Sequence, residues 1–477
     1  MTRASIIVRL AALAAAGVGL SGCNPIFGGD PRPQVQAPAV TGVDGEHEQL
    51  VASFGGEYRA PQTQALLESM TARLVAATDR PDVRYRVTIL DSPAINAFAL
   101  PSGRLYVTRG LIALADDASE LAAVMAHEIA HVTLAHAAAR SELEARSVLV
   151  SRVVSDVLRD QRASADIRET SRYDFASFSR AQELEADAVS VRTLARAGFD
   201  PFGAARFLTA LDRWMALSEA MHGGSGGPPS RLASHPSTPE RIAEARNGAR
   251  RIGAPGLGAG DRDAYLAAID GIAFGEDPRD GIVRGTRYLN ARLGIGFTAP
   301  DGFTLDNASR AVLGTSADGG RRLMFDAVEP ASGQSLADVV RATWTDSVVT
   351  GAVEEREVNG LAAAVASSRG QEWLFRVAAV RAGDAVYRLI FAYRSADAGA
   401  EAAFQRTLST VRRIGEAEIA ALTRLRLRIV TAGAGDTLES LAARMQVDRP
   451  VETFRTLNGL FDHTRIEPGR KYKIVAG

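Results

Sequence analysis

Two histidines four residues apart, His127 and His131, enclose Glu128-Ile129-Ala130. On a helix four residues turn about 400°, so both imidazoles point the same way, one turn apart. A pair at that spacing can grip one zinc ion, while Glu128, offset by about 100°, can reach a water beside the ion without ligating it. A catalytic zinc asks for three protein ligands and an open position. The best third donor lies in Glu183-Leu184-Glu185-Ala186-Asp187, where Glu183 and Asp187 share one helix face and Glu185 points nearly opposite. With Glu183 on the ion, Asp187 sits one turn on and can accept the outer N–H of a ligand histidine. Such a constellation performs metal-assisted hydrolysis, with the ion polarising a carbonyl and Glu128 moving the proton. His136 lies five residues beyond His131, about 140° round the same helix, which reads as packing.

The elements that must position these groups follow from periodicity. Gln62 to Thr78 carries apolar residues at helical spacing, and Tyr85 to Leu90 alternates as a strand. Asn96 to Thr108 reads as two short strands joined at Pro101-Ser102-Gly103, turn chemistry suited to a hairpin. A long helix is predicted from near Ser119 past Ala139, a second over Ser141 to Arg162, and a third from about Ser179 to Ala197, ending at Gly198. Phe202 to Leu217 is helical, Gly223 to Pro229 is a loop, and Pro239 opens a helix to about Arg250 with Thr238 as its cap.

Three such elements resemble one family: His127-Glu128-x-x-His131, then Ser179-Arg180-x-x-Glu183-x-x-x-Asp187, then His235-Pro236 with Arg241. Together with Asn96-Ala97-Phe98-Ala99-Leu100-Pro101-x-Gly103, they are similar to the gluzincin metallopeptidases of family 48 over roughly residues 45 to 250. The resemblance implies one zinc ion per subunit on His127, His131 and Glu183, with Glu128 as base. Asp187 and Arg241 support that centre from behind. The chain lacks the transmembrane helices of the HtpX and CAAX prenyl protease branches, so it resembles the soluble periplasmic branch. His235 resembles a histidine that those relatives place as a fourth ligand closing the site; it can equally hydrogen-bond the oxyanion. The hairpin residues Asn96, Ala97, Phe98 and Ala99 are the expected substrate-binding edge, to which an extended peptide adds as a strand.

The chain around this domain has 477 residues, enough for about three domains. Its 55 basic and 56 acidic residues leave a formal charge of −1, so no basic field exists to hold nucleic acid. Cys23 is the single cysteine, which excludes disulfide frameworks and thiolate zinc knuckles. Arg3 and Arg9 precede an apolar stretch from Leu10 to Leu20, the build of a secretory signal. Leu20-Ser21-Gly22-Cys23 resembles a bacterial lipobox, implying cleavage before Cys23 and lipidation of it. Asn24 then implies the inner leaflet of the outer membrane as the destination. Residues 1–23 are thus read as a lipoprotein signal peptide and 24–45 as a flexible tether.

The expected fold is multidomain. A mainly α-helical peptidase domain with a small β-hairpin or sheet occupies 46–250. A linker with a short helix fills 251–280, and an α+β module, free of histidine and cysteine, fills 281–415. The last unit, 424–477, carries Gly435-Asp436-Thr437-Leu438, Leu457-Asn458-Gly459-Leu460 and a strand over Lys471 to Val475. That order resembles a LysM module, a βααβ fold that binds N-acetylglucosamine glycans such as peptidoglycan. The expected function is an endopeptidase of the periplasm, lipid-anchored, acting on unfolded or misassembled envelope proteins. The alternative is a chaperone, assembly factor or wall-bound scaffold with latent proteolysis.

Overall fold

A computed structural model of the chain describes residues 47–136, 178–222 and 235–477, apart from positions 49, 53, 257, 259–260, 308–310, 329, 331–332, 343–347, 370–372 and 395–396. The expected signal peptide with Cys23, the tether, the helix over Ser141 to Arg162 and the loop Gly223 to Pro229 lie outside the described residues.

The peptidase-like part opens with helix α1 (Pro61–Ala76), with Pro61 in its first turn. Strand β1 (Arg86–Leu90) runs parallel to β3 (Arg104–Thr108), and β2 (Ala97–Leu100) pairs antiparallel with β3 at the sheet edge. The β2–β3 hairpin turns at Gly103, whose φ of +77° and whose approach to the Arg84 carbonyl oxygen both demand glycine. Thr108 ends β3 and caps α2 (Arg109–Leu114) by accepting the Leu111 N–H.

Helix α3 (Ala118–Thr133) begins at Asp117, whose carboxylate accepts the Glu120 N–H. It is shorter than the sequence predicts. Instead of running past Ala139 it stops at Thr133, and Ala135 adopts a φ of +54°, off the helical path. Helix α4 (Arg180–Arg196) starts with a reciprocal Ser179–Gln182 capping box and gives way to Gly198 at φ +76°. Helices α5 (Gly203–His222) and α6 (Pro239–Ile252) follow, and Thr238 caps α6 through the Arg241 N–H. At the α3–α5 crossing a side chain on Gly203 would stand 2.5 Å from the Ser119 carbonyl oxygen.

Helix α7 (Arg262–Ile269) leads to two antiparallel sheets. The smaller contains β4 (Ile282–Arg284), β5 (Arg287–Asn290), β6 (Ile295–Thr298) and the two-residue β14 (Arg412–Arg413). The larger holds seven strands in the order β10-β11-β12-β13-β9-β8-β7. These are β7 (Phe303–Asn307), β8 (Ala311–Ser316), β9 (Arg321–Val328), β10 (Val348–Val358), β11 (Leu361–Arg369), β12 (Trp373–Ala382) and β13 (Ala385–Arg394). Helices α8 (Leu336–Ala342), α9 (Ala400–Ser409) and α10 (Glu416–Ala421) accompany these sheets. The chain closes with β15 (Arg426–Thr431), α11 (Leu438–Ala442), α12 (Pro450–Leu457) and β16 (Lys471–Ala476), β15 antiparallel to β16.

Leu427, Leu441, Phe454, Tyr472 and Val475 of this last segment, with Tyr265 and Leu266 of α7, belong to the same hydrophobic core as Leu67, Leu121 and Ile129. No helix of the described residues is long and apolar enough to cross a membrane.

Candidate active site

Helix α3 presents His127, Glu128 and His131 to the interior, all buried. Helix α4 crosses it and turns Glu183 and Asp187 inward from one face, while Glu185 on another face keeps its side chain 59% exposed. His235 enters from just before α6, and Arg241 reaches in from the first turn of that helix.

Four of these residues converge. His127, His131, Glu183 and His235 each offer one ligand atom, and those atoms all lie within 4.8 Å of one another. The His127 and His131 Nε2 atoms are 3.0 Å apart, and His235 Nδ1 lies 3.3 Å from His127 Nε2. Glu183 reaches all three rings, at 3.4 Å from His127, 3.5 Å from His131 and 2.8 Å from His235. Zinc–nitrogen bonds of about 2 Å in a tetrahedron put neighbouring donors about 3.3 Å apart, so this set fits one such ion. The Glu183 Oε2 atom is buried without an aligned hydrogen bond, although the Arg241 guanidinium stands 2.8 Å away, which leaves it directional capacity for a cation.

The surroundings fix this arrangement. His127 turns Nδ1 to Asp187 Oδ1 at 2.9 Å, within ion-pair distance though poorly aligned for a hydrogen bond. Arg241 holds Asp187 with a two-pronged grip, Nε and Nη2 donating at 2.7 and 2.8 Å, and Nη1 also donates to the Pro236 carbonyl at 2.9 Å. One guanidinium therefore ties α4 to the segment that carries His235. Burial works against charge on His127, but Asp187 and Glu183 outweigh it and push its pKa up to about 9. Burial, with the neighbouring His127 and His235 rings, takes His131 down to about 3 against the pull of Glu183. Despite its own burial, Glu183 is held well below the usual carboxylate range by the imidazoles around it. Burial raises the Glu128 pKa, the direction suited to a group that must take up and release a proton. His235 Nε2 stands 3.8 Å from Glu128 Oε1.

A cleft of about 60 Å³ beside Glu128 and His235 is walled by Val124, Phe207, Leu208 and Leu211 and also touches Asn96 and Ala97. Ala97 and Ala99 lie on β2, which pairs only with β3 among the described residues; Phe98 stacks on Tyr106, ring centroids 4.9 Å apart. A larger cavity of about 590 Å³, among Trp214, Phe274, Phe303 and Leu457, contains none of the candidate ligands.

Two neighbours were not legible from spacing. Phe178, directly before the α4 cap, stacks on the His131 ring with centroids 4.0 Å apart. His136, expected only to pack, places its Nδ1 2.9 Å from His131 Nδ1. The 140° offset supposes a continuous helix, and the break at Ala135 removes that premise.

Residues 61–249 match peptidase family M48. The chain is 32% identical over 216 residues to the beta-barrel assembly-enhancing protease of Escherichia coli (strain K12), covering 43% of each chain. It is 27% identical over 186 residues to the mitochondrial metalloendopeptidase OMA1 of Schizosaccharomyces pombe, covering 38% of this chain and 51% of that one. With the Homo sapiens mitochondrial metalloendopeptidase OMA1 it shares 28% over 172 residues, 34% of this chain and 31% of that one. The chain thus spans about two fifths of the length of the first of these relatives. The match covers both helices that bear the zinc-ligand pattern as well as the His235–Arg241 segment, and residues 61–249 are accordingly a peptidase family M48 domain.

Proposed function

We propose that this chain is a zinc-dependent endopeptidase of the bacterial cell envelope that cleaves unfolded or misassembled envelope proteins. The observation that carries the reading is the convergence of four donor atoms on one point with a buried carboxylate, Glu128, beside them. The beta-barrel assembly-enhancing protease named above supports the envelope setting. In this reading His127, His131 and Glu183 hold the ion. An ion held there would supply Lewis acidity to the scissile carbonyl and to a water. Glu128 accepts the proton of the attacking water and passes it to the leaving amine. Asp187 holds His127 in the tautomer that leaves Nε2 free, and Arg241 holds Asp187. Asn96, Ala97, Phe98 and Ala99 align the substrate as an added strand along the β2 edge, its side chain entering the apolar cleft.

The remaining assignments belong to the same proposal. Cys23 carries the lipid that anchors the protein to the inner leaflet of the outer membrane, facing the periplasm. The domain partition at 46–250, 281–415 and 424–477 is retained, with the last unit a LysM-like βααβ module and peptidoglycan its ligand. A second reading, a chaperone or assembly factor with latent proteolysis, is favoured by one observation. His235 lies among the other donors, where a substrate carbonyl would have to approach. Cleavage of a denatured protein by wild type, His235→Ala and chelator-treated enzyme separates the readings. Endopeptidase function predicts activity abolished by chelation. A gain of activity in His235→Ala establishes a closed resting state, and a loss assigns His235 to oxyanion binding.

A further inference from the structure

For His131 to ligate through Nε2, its proton must sit on Nδ1, because a neutral imidazole carries only one. That Nδ1 faces His136 Nδ1 at 2.9 Å, inside a buried pocket. Two imidazole nitrogens at this distance share one proton: two lone pairs or two N–H groups would repel. His136 must therefore accept at Nδ1 and carry its own proton on Nε2. That Nε2 lies 3.4 Å from Glu185 Oε2, the carboxylate that α4 turns away from the ion. The chain of contacts runs from the site to the surface, and each link dictates the tautomer of the next. It mirrors the His127–Asp187 arrangement on the other ligand histidine. The contact depends on the chain leaving the helix at Ala135, where φ is +54°, since a continued helix would carry His136 away.

We propose that His136, backed by Glu185, is the positioning residue that locks His131 as an Nε2 zinc ligand. The proposal rests on His131 being a ligand. His136 does not touch substrate or ion; it sets the ring orientation and the basicity of the nitrogen that does. A ligand histidine commonly leans on a carboxylate or a carbonyl, and here a second imidazole relays that role from a carboxylate on the neighbouring helix.

The test is zinc affinity of the full chain, measured by competition with a chromogenic chelator, with the melting temperature of each zinc-free variant recorded alongside. His136→Ala is expected to weaken zinc about 10-fold. His136→Asn, whose side-chain oxygen can accept in place of Nδ1, is expected to recover most of that loss. Glu185→Ala, at an exposed position, should weaken zinc about 3-fold without lowering the zinc-free melting temperature. Unchanged affinity in Glu185→Ala and in every folded His136 variant overturns the proposal. His131→Ala serves as the control: loss of zinc there with unchanged affinity in the His136 variants refutes the positioning role alone. A wild-type chain that binds no zinc overturns the metal reading and this proposal with it.

Discussion

Arg241 is the residue on which the interior of the site turns, because its single guanidinium satisfies Asp187 with two bonds and also stands 2.8 Å from Glu183. Removing it takes from two buried carboxylates, Asp187 and Glu183, the guanidinium that partners both. Arg241→Ala is expected to destabilise the zinc-free protein by about 3–5 kcal/mol, seen as a clear fall in melting temperature. Arg241→Lys cannot reproduce the planar fork and should recover less than half of that loss. Asp187→Asn should weaken zinc about 10- to 100-fold while leaving the fold in place, checked by chelator competition and circular dichroism. That His127 and His131 share one helix face, and Glu183 and Asp187 another, was legible in the sequence because angular offsets within a helix are fixed, whereas Arg241 entered with the family resemblance. The place of His136 was not legible, because Leu134 and Ala135 are good helix formers and nothing local announces a turn. Phe178 also escaped notice, its role being set by a ring on another element.

Among elements, α3 is held closely at its start. Its first turn is closed by Asp117, and Gly203 of α5 passes so near that an added methyl would meet the Ser119 carbonyl oxygen at 2.5 Å. Gly203→Ala must shift one helix against the other. It is expected to cost about 1–3 kcal/mol of stability and to lower proteolysis more than Gly248→Ala, where the nearest atom is 3.5 Å away. Near the same end of α3, Glu120 is buried beside Asp117 and Asp116, and burial with those like charges outweighs the Asp116 N–H and the Arg206 guanidinium 3.3 Å away and raises its pKa to about 8. A carboxyl kept protonated by the fold contributes stability that is full below about pH 4.5 and is lost as pH rises through about 8. The melting temperature of wild type should therefore fall between pH 5 and pH 8, and Glu120→Gln should fall less. Equal slopes for the two proteins would contradict this. The helices and the β2–β3 hairpin were readable from period and turn residues. The pairing of β1 parallel to β3 was not, because register across a crossover depends on packing partners outside both strands.

At the scale of the whole molecule, the C-terminal segment is tied to the peptidase part through its core. Lys473, one of only two lysines in the chain, is fully buried and donates to the carbonyls of Ala113, Leu114 and Ala115 at 3.1, 3.0 and 2.7 Å. Those carbonyls close the end of α2, just ahead of the helix that carries His127 and His131, so the ammonium acts as a cap supplied from β16. Lys473→Met leaves three carbonyls without their donor and should lower the melting temperature. Deleting residues 424–477 should impair proteolysis as well as any glycan binding, because Leu441, Phe454 and Tyr472 leave the shared core. Intact proteolysis in the deletion would show that segment to be a separate appendage. The sequence marks residues 424–477 as a separate compact unit that resembles a LysM module. That its strand locks into another part of the fold depends on one long side chain finding a helix end more than 350 residues earlier.

The most direct measurement is the rate at which the wild-type chain and Glu128→Gln cleave a denatured protein, each at one bound zinc per chain. Glu128→Gln is expected to retain zinc and to lose activity by about 100-fold or more. A variant that cleaves at the wild-type rate with its zinc in place would contradict the role of Glu128 as base.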